Sequence, residues 1–438
     1  MERIGNYQIL RKLGRGGMGA VYKALDPDLD KVVAIKILKP FENMVELLGY
    51  DKLRDIFAYE ASTMVDLNHP SVVKVLSYEA EEGSPPFFVM EFFCNNLGKM
   101  IGEDFKVDKR SRLIRPEKVL DYGRQLLESL VFLYRHQVIH RDIKPQNIMI
   151  ADDDTVKICD FGMALVGNRS FIGPAALQVG SPFYAAPEQQ RDPNGVDGRA
   201  DLYSAGVLLY RMLTGELPSM RGFSLSRVNP LFDESWDHFF AVALSLHPVK
   251  RFQTAEEMAE SLSSLRLHWD RLGRKEICRE ANCDPLSISL RKEPVNACGK
   301  TALEVFGLNE SFRPEVLVAN RLLEAEDGVE HDLATGLYWQ KTGSGRAMSW
   351  VEGRDYVDEL NRSSFGGRND WRLPTVNELF SLFTEADPQP RAATELPRSG
   401  WFWSCDLHGK RDGWYVNLEM GYADNQDLSC RNFIRAVA

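Results

Sequence analysis

The chain has no long apolar run, no cysteine framework and no surplus of positive charge. Each absence removes a class of protein. The most apolar helical stretch, residues 202–213 ("LYSAGVLLYRML"), is interrupted by Arg211. It is also too short for a bilayer, which takes roughly 20 apolar residues. The opening "MERIGNYQIL" carries charge and lacks the apolar core of a signal peptide. No membrane span is therefore expected, and both halves should share one compartment, most simply the cytoplasm. The seven cysteines are odd in number and scattered, which is not a disulfide framework. "CREANC" (Cys278, Cys283), followed by Cys298, has neither standard zinc spacing nor a close histidine. The net charge of −10 argues against nucleic acid as the main partner, because phosphate backbones need clustered Lys and Arg.

What is present suits an ordinary globular protein. A length of 438 residues allows about two to three domains. With 44% hydrophobic and 26% charged residues, each can bury a core.

"GRGGMGAVYKA" begins at Gly14 and contains Gly14, Gly16 and Gly19 in G-x-G-x-x-G spacing, followed by Val21. A dinucleotide loop uses the same spacing but opens into a helix. Here "AVYKAL" continues as a strand, so the glycines are expected at the tip of a hairpin folded over phosphates. "KVVAIKIL" (31–38) reads as the next strand, with Ala34 and Lys36 on one face. A lysine inside such a run either reaches solvent at an edge or needs an anionic partner. Glu60 is the natural partner. It lies between Ile56 and Met64 at four-residue spacing, which places it on the apolar stripe of a helix that stops before Pro70. Taken alone, a residue such as Glu60 is more often a partly exposed helix position.

Further on stand "HRDIKPQN" (140–147), "DFG" (160–162), "APE" (186–188) and "DLYSAG" (201–206). With the glycine loop and "VAIK", this ordered set over about residues 7–268 resembles the protein kinases, specifically the bacterial Ser/Thr kinases of eukaryotic type. The resemblance implies a bilobal kinase fold and ATP with Mg2+ (or Mn2+) as cofactors. It implies that Asp142 orients the acceptor hydroxyl and takes its proton, with Lys144 near the transferred phosphate. It assigns Asn147 and Asp160 to the metal, and Lys36, fixed by Glu60, to the nucleotide phosphates. It places the hinge at "VMEFFC", where Met90 would back the adenine pocket and the Glu91–Phe93 backbone would meet the adenine edge. The nucleotide pocket is thus expected to involve Gly14, Gly16, Gly19, Val21, Ala34, Lys36, Met90, Glu91 and Phe93. Lys144 favours Ser/Thr over Tyr as acceptor. His140 and Phe161 are expected to pack, and Glu188 with Arg251 to brace the C-terminal lobe. Arg141 awaits a phosphate on the activation loop, whose hydroxyls are Ser170, Ser181 and Tyr184. Ser170 is the candidate autophosphorylation site, and Ser181 is expected to help position substrate.

Residues 269–312 are polar and broken by Pro285, Pro294 and Gly299, which reads as a linker. "TALEVFGL" within it is a short element free to dock on either neighbour. From about residue 313 the texture is that of a compact α+β module. "HDLATGLYWQK" reads as a turn and strand and "AMSWVEGRDYVDELN" as an amphipathic helix with Val351, Tyr356, Val357 and Leu360 apolar. "WFWSC", "GWYVNLEMG" and "RNFIRAVA" read as strands. In "WRLPTVNEL", Thr375 and Glu378 form a capping-box pattern, with Trp371, Leu373 and Leu379 as core. The order resembles the C-type-lectin-like modules of the Lcl C-terminal type.

The expected fold class is therefore α+β in two domains: kinase (1–268), linker (269–312) and C-type-lectin-like recognition domain (313–438). Trp401, Trp403, Trp414, Tyr415 and Tyr422, interleaved with Asp406, His408, Asn417, Glu419 and Asp424, suit recognition of a protein or carbohydrate ligand. About half of these aromatics are equally well read as core. Asp424, Asn425 and Asp427 fit a solvated loop better than a calcium site. Some modules of this type vary their C-terminal surface through diversity-generating retroelements, and the Asn-, Tyr- and Asp-rich tail is compatible with that. Two functions follow: a Ser/Thr kinase whose module senses a ligand or recruits protein substrates, or a ligand-binding protein regulated by its kinase. A homodimer is compatible with either.

Overall fold

The computed structural model describes residues 2–103, 107, 109–167, 182–192, 195–218, 224–229, 231–273, 290–318, 322–383 and 400–438. The chain divides into two compact units, residues 1–151 with 155–274, and residues 152–154 with 275–438. No described helix is long and apolar enough to cross a membrane.

The first unit opens with a six-stranded antiparallel sheet. Its strands are β1 (Arg3–Ile4), β2 (Tyr7–Arg15), β3 (Gly19–Asp26), β4 (Lys31–Leu38), β5 (Val75–Glu79) and β6 (Phe87–Glu91), in the order β1-β2-β3-β4-β6-β5. The glycine stretch is the β2–β3 hairpin tip, as its β-strand continuation requires. Helices α1 (Glu42–Leu48) and α2 (Tyr50–Asp66) lie between β4 and β5. Helix α2 buries Leu53, Ile56, Phe57, Glu60, Ala61 and Met64, so the predicted stripe holds and carries the carboxylate inward.

The larger part of this unit is helical: α3 (Leu97–Ile101), α4 (Pro116–Arg135), α5 (Pro187–Arg191), α6 (Arg199–Thr214), α7 (Leu225–Val228), α8 (Glu234–Ala243) and α9 (Ala255–Gly273). Short strand pairs add to it: β7 (Asn95–Asn96), β9 (Ile148–Ile150) and β10 (Val156–Ile158) in one sheet, β8 (Val138–Ile139) and β11 (Leu165–Val166) in another. Helix α6 is buried almost throughout, Arg211 included. The Glu188 carboxylate takes two hydrogen bonds from Arg251, at 2.6 and 2.8 Å, the expected brace.

The second unit contains α10 (Gly299–Phe306), strands β12 (Leu322–Glu326), β13 (Val329–Asp332) and β14 (Tyr338–Gln340), then α11 (Trp350–Arg362) and α12 (Val376–Phe380). Strands β15 (Trp401–His408), β16 (Asp412–Asn417) and β17 (Tyr422–Asp427) follow. Two three-stranded antiparallel sheets result, β12-β13-β14 and β15-β16-β17. Thr375 and Glu378 cap α12 as patterned, and Ser349 with Glu352 forms a second capping box at α11 that the sequence reading does not name. Trp371, Leu373 and Leu379 are buried. Residues 290–308, inside the segment read from sequence as linker, enter this core. Ala297, Ala302, Phe306 and Leu308 pack in one cluster with Leu379, Phe402, Trp414 and Val416.

Two expectations are corrected here. Residues 424, 425 and 427 form no solvated loop: they lie in β17, with Tyr415 opposite Asp424 and Trp414 opposite Asn425. Strand pairing to β16 satisfies the backbone despite the low β-propensity of Asp and Asn. Val351, taken as apolar and inward, is 59% exposed, and Gly353 is buried in its stead.

Candidate nucleotide and phosphoryl-transfer site

Strand register assembles one wall of the site. Lys36 lies opposite Val21 and Phe88, and Ala34 opposite Lys23 and Met90. Directly paired residues and i, i+2 neighbours share a face, so Val21, Ala34, Lys36 and Met90 all project to the same side of the sheet. Glu91 ends β6, and its carboxylate accepts from the Lys74 backbone at 3.2 Å and from Lys157 Nζ at 3.3 Å. Phe92 and Phe93 follow it, each under a lysine ammonium, Lys23 and Lys157 respectively.

The glycines of the hairpin serve different ends. A Cβ at Gly19 would stand 2.3 Å from the Ile37 carbonyl oxygen, so that position must be glycine for β3 to meet β4. A Cβ at Gly14 or Gly16 would meet nothing within 4 Å. Those two positions open onto free space, which suits close approach of a backbone to a ligand. The turn is held by Gly16 N–H donating to the Gly19 carbonyl at 2.8 Å.

Beneath this hairpin, Lys36 Nζ donates to Glu60 Oε1 at 2.6 Å and to Asp160 Oδ1 at 2.9 Å. Glu60 is buried, and its Oε2 has no hydrogen-bond partner among the described residues. Burial pushes the Glu60 carboxyl up to about 7 against the pull of Lys36. Burial also opposes the charge on Lys36, but Asp160 and Glu60 overcome it and hold the ammonium above its ordinary value. Lys36, helped by Lys144, holds the Asp160 carboxyl well below the usual range. Asp160 keeps 43% of its side chain exposed, so the carboxylate nearest the opening stays anionic and reachable.

The second cluster sits on the loop from His140 to Asn147. Lys144 Nζ donates to Asp142 Oδ2 at 2.7 Å, and Asn147 Nδ2 donates to the same oxygen at 3.0 Å and to the Asp142 carbonyl at 2.8 Å. This spends the Asn147 nitrogen and leaves its amide oxygen as the end suited to a hard cation. His140 Nε2 donates to the Cys159 carbonyl at 3.0 Å and the ring meets Phe161 edge-on at 4.9 Å, so both rings pack as expected. Arg141 and Asp160 have φ of 63° and 64°, a left-handed backbone that disfavours side chains and collects at functional loops.

Three further residues brace this loop and the segment beside it; the sequence reading gives Asp201 and Gln189 no role and names Tyr184 only among the activation-loop hydroxyls. Asp201 accepts from the backbone N–H of His140 at 2.8 Å and of Arg141 at 2.7 Å. Gln189 donates to the Arg141 carbonyl at 2.8 Å. Tyr184 is buried, with its hydroxyl on Glu103 at 2.8 Å, which removes it from the accessible activation-loop hydroxyls. An aspartate directly before the apolar run of α6 was the available signal for the first. Arg141 Nε donates to the Met163 carbonyl at 2.7 Å, and burial lowers the guanidinium to about 10. Ser170 and Ser181 lie outside the described residues.

In the second unit the aromatic recognition set is corrected. Trp401, Trp403, Trp414, Tyr415 and Tyr422 are all buried, as are Asp406 and Asn417, so they form no solvent-facing platform. Strand β15 shifts register between Trp403 and Leu407, which breaks the simple alternation that placed Asp406 beside the aromatics. Asp406 instead accepts from Arg291 Nη1 and Nη2 and from the backbone N–H of Val295 and Val376, all at 2.8 Å. No described group of His, Cys, Asp and Glu is arranged to hold a metal ion on protein side chains alone.

The protein kinase domain family matches residues 7–280, and the Lcl C-terminal domain family matches residues 328–438. Among bacterial relatives, a probable serine/threonine-protein kinase of Clostridium acetobutylicum is 32% identical over 275 residues, 59% of this chain and 40% of that protein. The serine/threonine-protein kinase PrkC of Bacillus subtilis is 30% identical over 325 residues, 70% of this chain and 48% of its own. PknL of Mycobacterium tuberculosis is 31% identical over 274 residues, 59% of this chain and 65% of its own. The chain thus spans between two fifths and two thirds of the length of these curated relatives. With the hairpin, the paired lysine and the HRD and DFG loops all falling inside a match that covers more than half its length, the chain belongs to the protein kinase family.

Proposed function

We propose that this chain is an ATP-dependent Ser/Thr protein kinase. The observation that carries the reading is Lys36, ion-paired at once to Glu60 and Asp160, with the Asp142–Lys144–Asn147 cluster close enough for Lys144 to act on Asp160. Phosphoryl transfer asks for positioning and charge neutralisation, and this arrangement offers both. Lys36 would bind the phosphates, held in place by Glu60. Gly14 and Gly16 would let the hairpin backbone approach them, with Gly19 keeping the turn tight. Val21, Ala34 and Met90 would bound the adenine, and the backbone of Glu91 to Phe93 would meet its edge. Asp160 and Asn147 would supply oxygen ligands to Mg2+ or Mn2+, whose charge offsets that of the phosphates. Asp142 would orient the acceptor hydroxyl and take its proton, while Lys144 steadies the phosphate side.

The acceptors in this reading are proteins phosphorylated on Ser or Thr, in the cytoplasm, with Ser170 as the autophosphorylation site that Arg141 would hold. The second unit would be a C-type-lectin-like module that senses a protein or carbohydrate ligand or recruits substrates. Its partners would therefore be found on surfaces other than the five buried aromatics. Transfer of the γ-phosphate of ATP to a general protein acceptor tests the assignment. Asp142→Asn should lower the rate at least about a hundredfold, the scale of a lost general base, with nucleotide affinity retained. Full activity in that variant would overturn it.

A further inference from the structure

Arg211 interrupts the most apolar stretch of the chain, and the kinase roles above leave it unused. It is only 2% exposed, in the middle of buried helix α6. Its Nε donates to Glu103 Oε2 at 3.1 Å, and its Nη2 donates to the carbonyls of Val107 and Lys109. Glu103, just past α3, is 1% exposed. The same carboxylate accepts the Tyr184 hydroxyl at 2.8 and 3.0 Å and the Gln146 amide at 3.4 Å, while its own carbonyl accepts Gln146 Nε2 at 2.8 Å.

One buried carboxylate therefore ties together three segments distant in sequence. Gln146 sits on the single turn that also carries Lys144 and Asn147. Tyr184 lies at the end of the activation segment, just before the Ala-Pro-Glu motif. Arg211 belongs to the helical floor. Gly98 makes room for the tie, since a Cβ there would stand 3.1 Å from Gln146 Cγ. Apolar side chains would fill this space at little cost in stability, because a buried ion pair seldom outperforms a hydrophobic replacement. What the polar network adds is geometry: each donor has one direction in which it is satisfied.

We propose that Glu103 is a positioning residue for the protein acceptor. By holding Tyr184 and Gln146 on one carboxylate, it fixes the end of the activation segment against the catalytic loop and so shapes the acceptor side of the site. Nucleotide binding, which uses the β-sheet wall and Lys36, is not under its control. The inference rests on the kinase reading, so its test has one arm independent of activity.

In the full chain, Tyr184→Phe and Glu103→Gln should raise KM for a general acceptor such as dephosphorylated casein about tenfold, the scale of one lost hydrogen bond to a charged group. ATP affinity should stay within about twofold. Arg211→Glu should be worse than either, and Glu103→Arg combined with Arg211→Glu should not recover the acceptor KM, because a guanidinium at position 103 cannot accept from the Tyr184 hydroxyl and the Gln146 amide. The second arm is amide hydrogen exchange: Tyr184→Phe should speed exchange over residues 182–191 and leave residues 31–38 and 50–66 unchanged. Faster exchange with unaltered acceptor KM in an active enzyme would overturn the positioning role. Equal losses of acceptor and ATP affinity would mark a purely structural residue. If the wild-type chain transfers no phosphate, the kinase reading fails, and the exchange arm still decides whether Glu103 fixes the segment.

Discussion

The Lys36 site and the core of the second unit treat their carboxylates in opposite ways. In the first, Glu60 is buried with one oxygen unpartnered among the described residues, Asp160 remains partly exposed, and two glycines open onto free space. In the second, Asp406 takes four donors, Glu378 takes two from Arg372 and one from the Thr375 backbone, and Arg435 pairs with Glu330. Polar capacity left over at a cleft is what a ligand uses. Carboxylates whose oxygens the protein itself takes up fix a shape. The difference separates the carboxylates of the reacting site from those that brace a fold, Glu103 and Asp201 of the first unit among the latter.

Substitutions should sharpen that contrast, and the largest effect belongs to the scaffold. Asp406→Ala takes the carboxylate from Arg291, which keeps the Glu293 carbonyl and Asn377, and leaves two backbone N–H groups without their acceptor, so it should destabilise the second unit by about 2–4 kcal/mol. Calorimetry would show its transition lost or moved down. An unchanged transition would mean that Arg291 and the 290–298 segment do not support this unit. Residues 290–308 should therefore be needed for an isolated C-terminal fragment to fold.

At the site the balance reverses. Glu60→Gln should lower phosphate transfer, because Lys36 loses half of its anionic grip, yet stability should not suffer at neutral pH. The sign follows from the carboxyl's raised value of about 7 against an ordinary 4.5. Between those values the folded state holds more protons than the unfolded state, so stability contributed here falls as pH rises. Wild type and Glu60→Gln should melt together near pH 5, and the variant should be the more stable at pH 7.5. A variant less stable at pH 7.5 would refute the account.

Two smaller effects refine the comparison. Gly19→Ala, forced onto the Ile37 carbonyl, should cost about 1–3 kcal/mol, whereas Gly16→Ala should leave melting unchanged and raise KM for ATP. Equal stability losses would remove the distinction drawn between the two glycines. Ser349→Ala, which breaks the cap of α11, should cost about 1 kcal/mol in the second unit with no change in phosphate transfer.

Much of the first unit was legible because its signals are local. Four-residue spacing put Glu60 on the inner face of α2, and strand alternation put Ala34 and Lys36 on one wall. Thr375 and Glu378 announced a helix start for the same reason: a capping box is complete within four residues. The recognition surface was misread because alternation fails at a bulge. The register shift in β15 sends Asp406 to the linker segment and the start of α12, and no count along "WFWSCDLH" reveals it. The Asn- and Asp-rich residues of β17 looked like a loop because their strand character comes from β16 beside them, not from their own propensity.

Sequence by itself determined the chemistry on offer: which carboxylates, lysines and glycines stand in an order that phosphoryl transfer can use, and where helices begin. Those features depend on spacing along the chain, which is fixed before folding. Tertiary structure alone decided which polar groups are consumed. Glu103 meets Gln146, Tyr184 and Arg211 across separations of 43 to 108 residues, and Arg291 meets Asp406 across 115. No local rule reaches that far, because such partners are selected by the packing of whole elements and by the high cost of leaving a buried charge alone.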